Sequence, residues 1–335
     1  MKAGFGYVLL PQPIEEEAHK LLLKNGYEVK VAETPDPEVV APLMKETSAI
    51  ILRTGIKITE ELLSKAENLL TISRTGGGVD NVDLKSATKH GIIVTSSLGV
   101  NTVSVVEHTM ALILAVSKCI VLLDSEVRKG NFKIRYKNLP VDICGKTIGI
   151  VGFGRIGSGV AVKCRYSFNM KVLAYDPFLP YERKREFENW VRFCELDELF
   201  GEADIISIHL PLNDQTKGMI DKKYISLMKT GAIIVNTSRG GVINERDLTE
   251  ALSKKKIAGA GLDVFENEPP DPSNPLLKLD NVVLTPHSAA LTKECVRRMA
   301  VSAVERVLMV FEGKMPSNIA NPEVLNLPKW KHLKR

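Results

Sequence analysis

The residues with the clearest chemical pattern in the chain are the glycines of Gly152-Phe-Gly154-Arg-Ile-Gly157. They directly follow the apolar run Thr147–Val151, and a helical pattern from Ile156 to Tyr166 comes next. Glycine at these three positions permits a tight turn, a close approach of the backbone to a phosphate, and close packing of a helix on a strand. The N–H groups and partial positive charge at a helix N-terminus also attract phosphates. The segment therefore predicts a binding site for the pyrophosphate of a dinucleotide.

An acidic residue follows this segment at the distance that such a site requires. Asp176 ends the next apolar run and lies 19 residues after Gly157, close to the spacing of about 20 expected for the residue that binds the ribose. A carboxylate accepts hydrogen bonds from ribose hydroxyls and repels a 2′-phosphate, so the sequence favours NAD over NADP. Arg155, inside the glycine segment, is expected to contact the pyrophosphate. The alternative interpretation is a glycine-rich turn followed by an unrelated aspartate.

Three further segments carry charged or titratable side chains directly after apolar runs. They are Asn236-Thr-Ser-Arg239, Asp263-Val-Phe-Glu-Asn-Glu268 and Thr285-Pro-His287. In open α/β sheets, ligands bind at the carboxyl ends of the strands. We therefore expect a guanidinium, two or more carboxylates and an imidazole at one edge of a predicted sheet.

The elements that must position these residues form two series of short apolar runs that alternate with helical patterns. The predicted strands of the first series are Tyr7–Leu10, Tyr27–Val31, Ala49–Leu52, Leu70–Ser73 and Ile92–Thr95. Those of the second series are Thr147–Val151, Val172–Tyr175, Ile205–His209, Ala232–Asn236, Gly259–Val264 and Val282–Thr285. Alternating strands and helices predict an α/β fold with two doubly wound parallel sheets. One long helical pattern, from Asn101 to about Lys129, joins the two series, and Thr292–Glu312 forms a final amphipathic helix.

The composition sets limits on the class of protein. A length of 335 residues suggests about two domains, and 44% apolar with 25% charged residues is ordinary for a folded globular chain. The net charge of +5 comes mostly from four cations in the last eight residues, which contain no acid: Lys329, Lys331, Lys334 and Arg335. A solvated, frayed chain end explains this tail. We expect no nucleic-acid partner, because no recognition motif accompanies the charge.

The cysteines and the apolar runs indicate the environment of the protein. The five cysteines form no CxxC pair, so neither a disulfide framework nor a metal site is predicted. No stretch approaches the roughly 18 uncharged apolar residues of a membrane span, and the short N-terminal run does not read as a signal peptide. The sequence therefore predicts a cytoplasmic protein without a membrane partner.

Taken together, the motifs resemble the D-2-hydroxyacid dehydrogenase family over nearly the whole chain. The matching motifs are Gly78-Val-Asp-Asn-Val-Asp83, Gly152–Gly157, His209-Leu-Pro-Leu, Arg239-Gly, Asp263–Pro269 and Thr285-Pro-His287. The resemblance implies a flavodoxin-like substrate-binding domain from residues 1–99 and 288–335, into which a Rossmann NAD-binding domain of residues 100–287 is inserted. It also implies reversible hydride transfer between NAD(H) and a small 2-hydroxy or 2-keto acid, in a homodimer built on the long helix after Asn101.

The resemblance further implies the roles of three catalytic residues. His287 would be the general acid/base, because imidazole titrates near neutrality. Glu268 would pair with His287 and favour the imidazolium; it is selected over Glu266 because it stands immediately before proline, as in the family. Arg239 would bind the substrate carboxylate in a forked pair and polarise the carbonyl.

The remaining binding residues also come from the resemblance. Asp263 would hydrogen-bond the nicotinamide carboxamide, and His209 would line the pocket without acting as the acid/base. The full set of implied cofactor contacts is Gly152, Gly154, Arg155, Ile156, Gly157, Asp176, His209, Pro211, Thr216, Thr237 and Asp263. The implied substrate contacts are Arg53, Arg74, Gly77, Gly78 and Asn101. His108, in the apolar helix, is expected to be a satisfied core or interface residue.

Three functions stay open at this point: two dehydrogenases that differ in substrate, and one interaction protein. Arg53 and Arg74 resemble positions that 3-phosphoglycerate dehydrogenases of serine biosynthesis fill with arginine, and two such cations would hold a substrate phosphate. Unphosphorylated-acid enzymes of the family also carry arginine there. The third reading is an NAD-sensing interaction protein similar to the C-terminal-binding-protein corepressors, which we expect to carry a long polar extension that this sequence does not show.

Overall fold

The computed structural model describes residues 4–137 and 139–333. The chain divides into two compact units, one formed by Met1–Asn101 with Leu291–Arg335 and the other by Thr102–Ala290. The first unit is therefore made from two separate parts of the sequence. The points of division lie close to the boundaries at residues 99 and 288 that the sequence predicts.

The regular elements follow the predicted alternation of strands and helices. The strands are β1 (Tyr7–Leu10), β2 (Val29–Val31), β3 (Thr47–Leu52), β4 (Thr71–Arg74), β5 (Ile93–Ser96), β6 (Thr147–Val151), β7 (Lys171–Tyr175), β8 (Val191–Phe193), β9 (Ile205–Ile208), β10 (Ile233–Asn236), β11 (Gly259–Leu262) and β12 (Val282–Leu284). The α-helices are α1 (Glu16–Lys24), α2 (Pro37–Val40), α3 (Glu60–Leu63), α4 (Leu84–Lys89), α5 (Thr102–Ser117), α6 (Ile120–Arg128), α7 (Arg155–Phe168), α8 (Tyr181–Arg185), α9 (Leu196–Glu202), α10 (Lys222–Leu227), α11 (Glu245–Ser253) and α12 (Lys293–Phe311).

The first unit is built on a five-stranded parallel sheet with the order β2-β1-β3-β4-β5. This is the flavodoxin-like order, in which the strand order reverses at the boundary between β1 and β3. All six residues of β3 are buried, because a parallel strand in the middle of a sheet has helices over both faces. Helix α12 returns to this unit and packs against β4 and α1. The predicted flavodoxin-like fold of this unit is confirmed.

The second unit contains a seven-stranded sheet with the order β12-β11-β10-β9-β6-β7-β8, and all its pairings are parallel. This is the doubly wound order of a Rossmann sheet, extended by β12 at one edge. The sequence predicts six of these strands and misses β8. That strand is only three residues long, and its central residue, Arg192, is exposed, so it has no apolar run that would reveal it.

The prediction of a single long helix from Asn101 to about Lys129 is wrong. The segment forms two helices, α5 and α6, bent by 59°. The break lies at Cys119, whose φ of 51° is in the left-handed region, where an L-residue cannot continue a right-handed helix. Within the described residues, no single helix is long and apolar enough to cross a membrane; α5 and α6 reach that length and composition only when they are counted together.

The basic C-terminal segment also differs from the expected frayed end. Trp330 is buried, and its indole N–H donates a hydrogen bond to the Gly91 carbonyl at 2.8 Å. The Lys329 ammonium lies 5.0 Å from the Trp330 ring centroid, and burial lowers the pKa of Lys329. The segment therefore docks on the first unit as far as Leu333. Lys334 and Arg335 lie outside the described residues.

Close packing of α7 on its sheet depends on one glycine. A Cβ atom at Gly157 would lie 2.0 Å from the Gly152 carbonyl oxygen and 3.0 Å from a methyl carbon of Ile150. Neither the backbone oxygen nor the buried strand can move away without displacing the turn before the helix. The glycine is therefore required by helix–strand contact, as the motif predicts.

We expect Gly157→Ala to lower the free energy of unfolding by about 1–3 kcal/mol, because the added methyl overpacks this contact. Urea denaturation monitored by circular dichroism measures the change. Gly201→Ala is the matched control, since a Cβ at that position, near the end of α9, meets no atom within 4 Å and the change should not destabilise the helix. Equal stability of the two variants would contradict the assignment.

Candidate active site

The glycine loop after β6 forms an open cradle at the start of α7. Gly152 has a φ of +92°, and a Cβ there would lie 2.7 Å from the His209 carbonyl oxygen. Gly154 is the N-cap residue of α7, and a Cβ at Gly154 would meet no atom within 4 Å. The helix N-terminus thus opens onto unobstructed space beside β6 and β9, which is the switch point of the sheet. These features fit the pyrophosphate of a dinucleotide.

Asp176 binds the glycine loop directly. One carboxylate oxygen accepts a hydrogen bond from the Phe153 N–H at 2.9 Å, and the other accepts one from the Phe178 N–H at 3.0 Å. A carboxylate has about four acceptor positions, so these bonds leave capacity for ribose hydroxyls. The same aspartate therefore fixes the shape of the loop and presents negative charge at the end of β7.

The other predicted cofactor residues lie around the ends of β9 and β10. The Thr216 hydroxyl donates to the Pro211 carbonyl at 2.6 Å, and the Thr237 hydroxyl lies 2.8 Å from that of Thr109. The His209 ring contacts the Ser207 hydroxyl at 2.8 Å, and burial lowers the pKa of His209 to about 3. His209 is therefore neutral at physiological pH and does not carry a titrating proton. Arg155 and Ile156 lie in the first turn of α7.

His287 and Glu268 form a hydrogen-bonded pair in the second unit. The His287 Nδ1 atom lies 2.7 Å from Glu268 Oε2, and the Phe265 N–H donates to Glu268 Oε1 at 3.1 Å. The carboxylate is thus held from both sides, and the second ring nitrogen, Nε2, is the one directed away from it. This is the arrangement of a histidine whose orientation is set by a carboxylate.

Arg239 lies close enough to this pair to influence it. Burial raises the pKa of Glu268, but the hydrogen bond and charge of His287, the Phe265 N–H and the charge of Arg239 outweigh it and hold that pKa below its ordinary value. The loop after Arg239 touches the backbone of Phe265, since a Cβ at Gly240 would lie 1.9 Å from the Phe265 carbonyl. The structure therefore brings together the three predicted catalytic residues.

A cavity of about 440 Å³ borders the pair. Its lining combines apolar side chains with the two predicted catalytic groups and Thr285: Phe265, Glu268, Pro269, Pro270, Leu277, Leu284, Thr285, Pro286 and His287. The pair borders this cavity with side chains that are 45% and 37% exposed, so solvent and a small ligand can both reach it.

Asp263 is the most enclosed charged group near the pair, with a side chain 1% exposed. Its carboxylate accepts hydrogen bonds from the Thr285 hydroxyl at 2.6 Å, the Ser288 N–H at 2.8 Å and the Ala289 N–H at 2.9 Å. Its backbone carbonyl accepts the His287 N–H at 2.7 Å. Asp263 therefore holds the loop that carries His287. Its contact with nicotinamide stays a prediction.

The predicted substrate residues of the first unit are held by an asparagine that sequence reasoning missed. Arg74 donates its Nε–H to Asn81 Oδ1 at 2.9 Å, while the Asn81 amide donates to the carbonyls of Arg53 and Ile56, each at 2.9 Å. A Cβ at Gly76 would lie 2.7 Å from Arg74 Nη1. The guanidinium thus lies across the glycine run. Asn81 stands inside the Gly78–Asp83 motif, which was the available signal.

The other predicted substrate residues fall into two groups within this unit. Gly77 lies beside the Asn101 side chain, since a Cβ there would be 3.6 Å from the Asn101 amide, and Gly78 follows in the same loop. Arg53 instead turns toward the N-terminal segment and donates to the Pro13 carbonyl at 3.1 Å and to Glu15 at 3.3 Å. The side chains of Arg74 and Asn101 therefore both contact the loop that contains Gly76 and Gly77. Arg53 instead has an acidic partner, Glu15.

The buried Asp263 predicts a pH-dependent contribution to stability. Burial raises the pKa of Asp263, but the bonds from His108, Thr285, Ser288 and Ala289 outweigh it and lower that pKa below its ordinary value. A carboxylate with a lowered native pKa stabilises the fold at neutral pH, and this stabilisation is lost as the pH falls through the native pKa. We expect Asp263→Asn to cost about 1–3 kcal/mol at pH 7 and progressively less below pH ~4.

Urea denaturation between pH 3 and 8 measures this difference. The matched control is Asp214→Asn, at an exposed position of the same unit. A destabilisation by Asp263→Asn that stays constant across the pH range would show that the charge of Asp263 does not contribute.

Comparison with known proteins places this geometry in a family. The family model described as "D-isomer specific 2-hydroxyacid dehydrogenase, NAD binding domain" matches residues 110–289. A D-3-phosphoglycerate dehydrogenase of Archaeoglobus fulgidus is 41% identical over 94% of this chain, which spans only 59% of that relative. A glyoxylate reductase of Aeropyrum pernix is 39% identical over 96% of this chain and 97% of its own length.

A solved structure agrees with these sequence relationships. The D-lactate dehydrogenase of Aquifex aeolicus, complexed with NAD and lactic acid, has a TM-score of 0.83 and 32% identity, and the alignment covers 94% of this chain and 99% of that one. Fold, motifs and sequence identity therefore agree. The chain belongs to the D-isomer specific 2-hydroxyacid dehydrogenase family.

Proposed function

We propose that the protein is an NAD-dependent D-2-hydroxyacid dehydrogenase that interconverts a small 2-hydroxy acid and the corresponding 2-keto acid. The observation that carries this proposal is the His287–Glu268 pair beside Arg239, in the same unit as the glycine loop. NAD(H), when bound, supplies or accepts the hydride at the substrate C2 atom. The residues of the chain bind the acid and manage the proton.

The three catalytic residues have separate tasks in this proposal. Arg239 binds the substrate carboxylate and polarises the C2 carbonyl through its guanidinium. His287 donates a proton from Nε2 to the carbonyl oxygen during reduction and takes it back during oxidation. Glu268 stabilises the imidazolium and holds the ring through Nδ1, so that one nitrogen stays available for the substrate.

We assign the cofactor to the glycine loop and to the ends of the neighbouring strands. Asp176 supports NAD over NADP, because its carboxylate accepts ribose hydroxyls and repels a 2′-phosphate. The D-lactate dehydrogenase of Aquifex aeolicus, with which this chain shares its fold, was crystallised with NAD. The proposed contacts are Gly152, Gly154, Arg155, Ile156, Gly157, Asp176, His209, Pro211, Thr216, Thr237 and Asp263.

The substrate contacts of the first unit remain proposals as well. Backbone N–H groups of Gly77 and Gly78, with Asn101 and Arg74, are assigned to the carboxylate and neighbouring oxygens of the acid. Arg53 is bonded to Glu15, which reduces the positive charge that it offers to a substrate. A small unphosphorylated acid such as glyoxylate or hydroxypyruvate is therefore our first candidate. 3-Phosphoglycerate is the second, supported by the two arginines and by the Archaeoglobus relative.

We expect the purified protein to oxidise NADH in the presence of a 2-keto acid, tested with glyoxylate, pyruvate, hydroxypyruvate and 3-phosphohydroxypyruvate. His287→Ala should lower kcat by roughly 10²–10⁴-fold, because the proton donor is lost, while NADH binding is unchanged. The decrease of absorbance at the NADH band measures turnover, and fluorescence titration measures binding. His332→Ala, at an exposed position, is the control.

The outcomes of this panel separate the candidates. Selective turnover of the phosphorylated acid would assign Arg53 and Arg74 to a phosphate and support the second candidate. NADH binding without turnover of any acid would favour an interaction protein over an enzyme. Normal turnover by His287→Ala would refute the assigned mechanism.

We also propose a cytoplasmic homodimer. The free state of all five cysteines suits a reducing compartment. For the dimer, helix α6 has no buried residues within the single chain. Large apolar side chains are exposed along α6 and the segment after it: Ile120, Val121, Val127, Phe132, Tyr136, Leu139 and Val141. A group of exposed large apolar side chains within one stretch of sequence favours a protein–protein interface, and the family resemblance points to a second copy of the chain.

We expect Val121→Glu to dissociate the dimer, because a charge would be buried at an apolar interface. Analytical ultracentrifugation should show the mass of the wild type halved in the variant. Leu23→Glu is the matched control, since Leu23 in α1 is 54% exposed and Val121 is 52% exposed. Monomeric wild-type protein, or an unchanged mass for Val121→Glu, would contradict this surface as the interface.

A further inference from the structure

We propose that His108 is a positioning residue for the acid/base His287, acting through Thr285 and Asp263. His108 lies in α5, and its side chain is 23% exposed. Its Nε2 atom is 2.9 Å from the Thr285 hydroxyl oxygen and 3.5 Å from Asp263 Oδ1. The Thr285 hydroxyl is in turn 2.6 Å from Asp263 Oδ1. The three side chains therefore form one continuous network within the second unit.

The chemistry of the groups fixes the direction of these hydrogen bonds. An ionised carboxylate only accepts, so the single hydroxyl proton of Thr285 is donated to Asp263. The remaining contact of the Thr285 oxygen must then receive a proton from His108. His108 is consequently in the form that carries a proton on Nε2. His108 donates to Thr285, and Thr285 donates to Asp263.

This series of hydrogen bonds ends at the backbone of His287. The Asp263 carbonyl accepts the His287 N–H at 2.7 Å, and its carboxylate accepts the next two N–H groups, from Ser288 and Ala289. His287 has a φ of 51°, a left-handed conformation that residues other than glycine adopt only when the surroundings enforce it. The network around Asp263 is what enforces it here.

Within this network, His108 is the residue that lies in a long helix, α5. The loop from Thr285 to Ala289 and the residue Asp263 belong to neighbouring strand ends, whereas α5 packs across β10, β11 and β12. The bond from His108 therefore ties the loop to a rigid element outside it. We infer that it limits movement of the His287 ring relative to Glu268 and to the substrate, which proton transfer requires.

The test compares two helix-compatible variants of His108. His108→Leu removes the donor, and His108→Gln places an amide N–H close to the position of Nε2. We expect His108→Leu to lower kcat roughly 10- to 100-fold, because small displacements of a catalytic group have effects of this size, with KM and NADH affinity nearly unchanged. The D₂O solvent isotope effect on kcat should rise, since proton transfer becomes slower than the other steps. His108→Gln should recover most of the rate.

Three further measurements separate positioning from a general structural role. Thr285→Val should reproduce the loss, Thr285→Ser should not, and His108→Leu should add little in the Thr285→Val background, because both act through one network. His19→Leu, in α1, controls for the type of substitution. A fall in melting temperature with no change in kcat or isotope effect, or equal losses for His108→Leu and His108→Gln, would overturn the proposal.

The inference rests on the proposed dehydrogenase activity, and one measurement is independent of that activity. Hydrogen exchange of the backbone amides of residues 287–289 should become faster in His108→Leu and stay near the wild-type rate in His108→Gln. If the wild type turns over no 2-keto acid, the proposed function fails while this measurement still decides the role of His108. Unchanged exchange in His108→Leu would refute the positioning role whatever the activity.

Discussion

The candidate active site depends on the hydrogen bonds that satisfy one buried carboxylate. Asp263 is almost completely enclosed, and an ion in that position is tolerated only when hydrogen bonds replace its hydration. Those bonds come from Thr285, Ser288 and Ala289, which surround His287 in the sequence. The requirement to satisfy one charge therefore dictates the conformation of the loop, and the loop dictates where the imidazole lies.

The parallel sheet explains why these groups meet at all. In a parallel sheet every strand ends at the same edge, so residues far apart in sequence become neighbours there. The glycine loop follows β6, His209 follows β9, Arg239 follows β10, Asp263 follows β11, and the Thr285–His287 loop follows β12. The strands themselves contribute apolar packing, and the chemistry lies in the first few residues beyond them. In the proposed function, phosphate binding, carboxylate binding and proton transfer are assigned to separate loops at this same edge.

Much of this arrangement is predictable because short apolar runs locate the strands, and the motifs stand directly after them. The strands other than β8 and the glycine loop follow in this way, whereas the flavodoxin-like and Rossmann folds and the pairing of His287 with Glu268 rather than Glu266 follow from the resemblance to the family. The break at Cys119, the short strand β8 and the docking of Trp330 were not predictable, since each depends on tertiary contacts that leave no local pattern. The roles of Asn81 and His108 were not predictable either, because they depend on hydrogen bonds to residues that only the fold brings close.

The choice of substrate depends on local contacts rather than on the shared fold. Relatives named for phosphorylated and unphosphorylated acids are about equally similar to this chain, at 41% and 39% identity. Arg53 is one of the two arginines proposed to hold a substrate phosphate, and its guanidinium already bonds Glu15 and the Pro13 carbonyl. A phosphate bound there would compete with Glu15 for the positive charge of one guanidinium. If Arg53 contacts the substrate as proposed, Glu15 bears on the choice of acid as much as Arg53 does, although no motif includes Glu15.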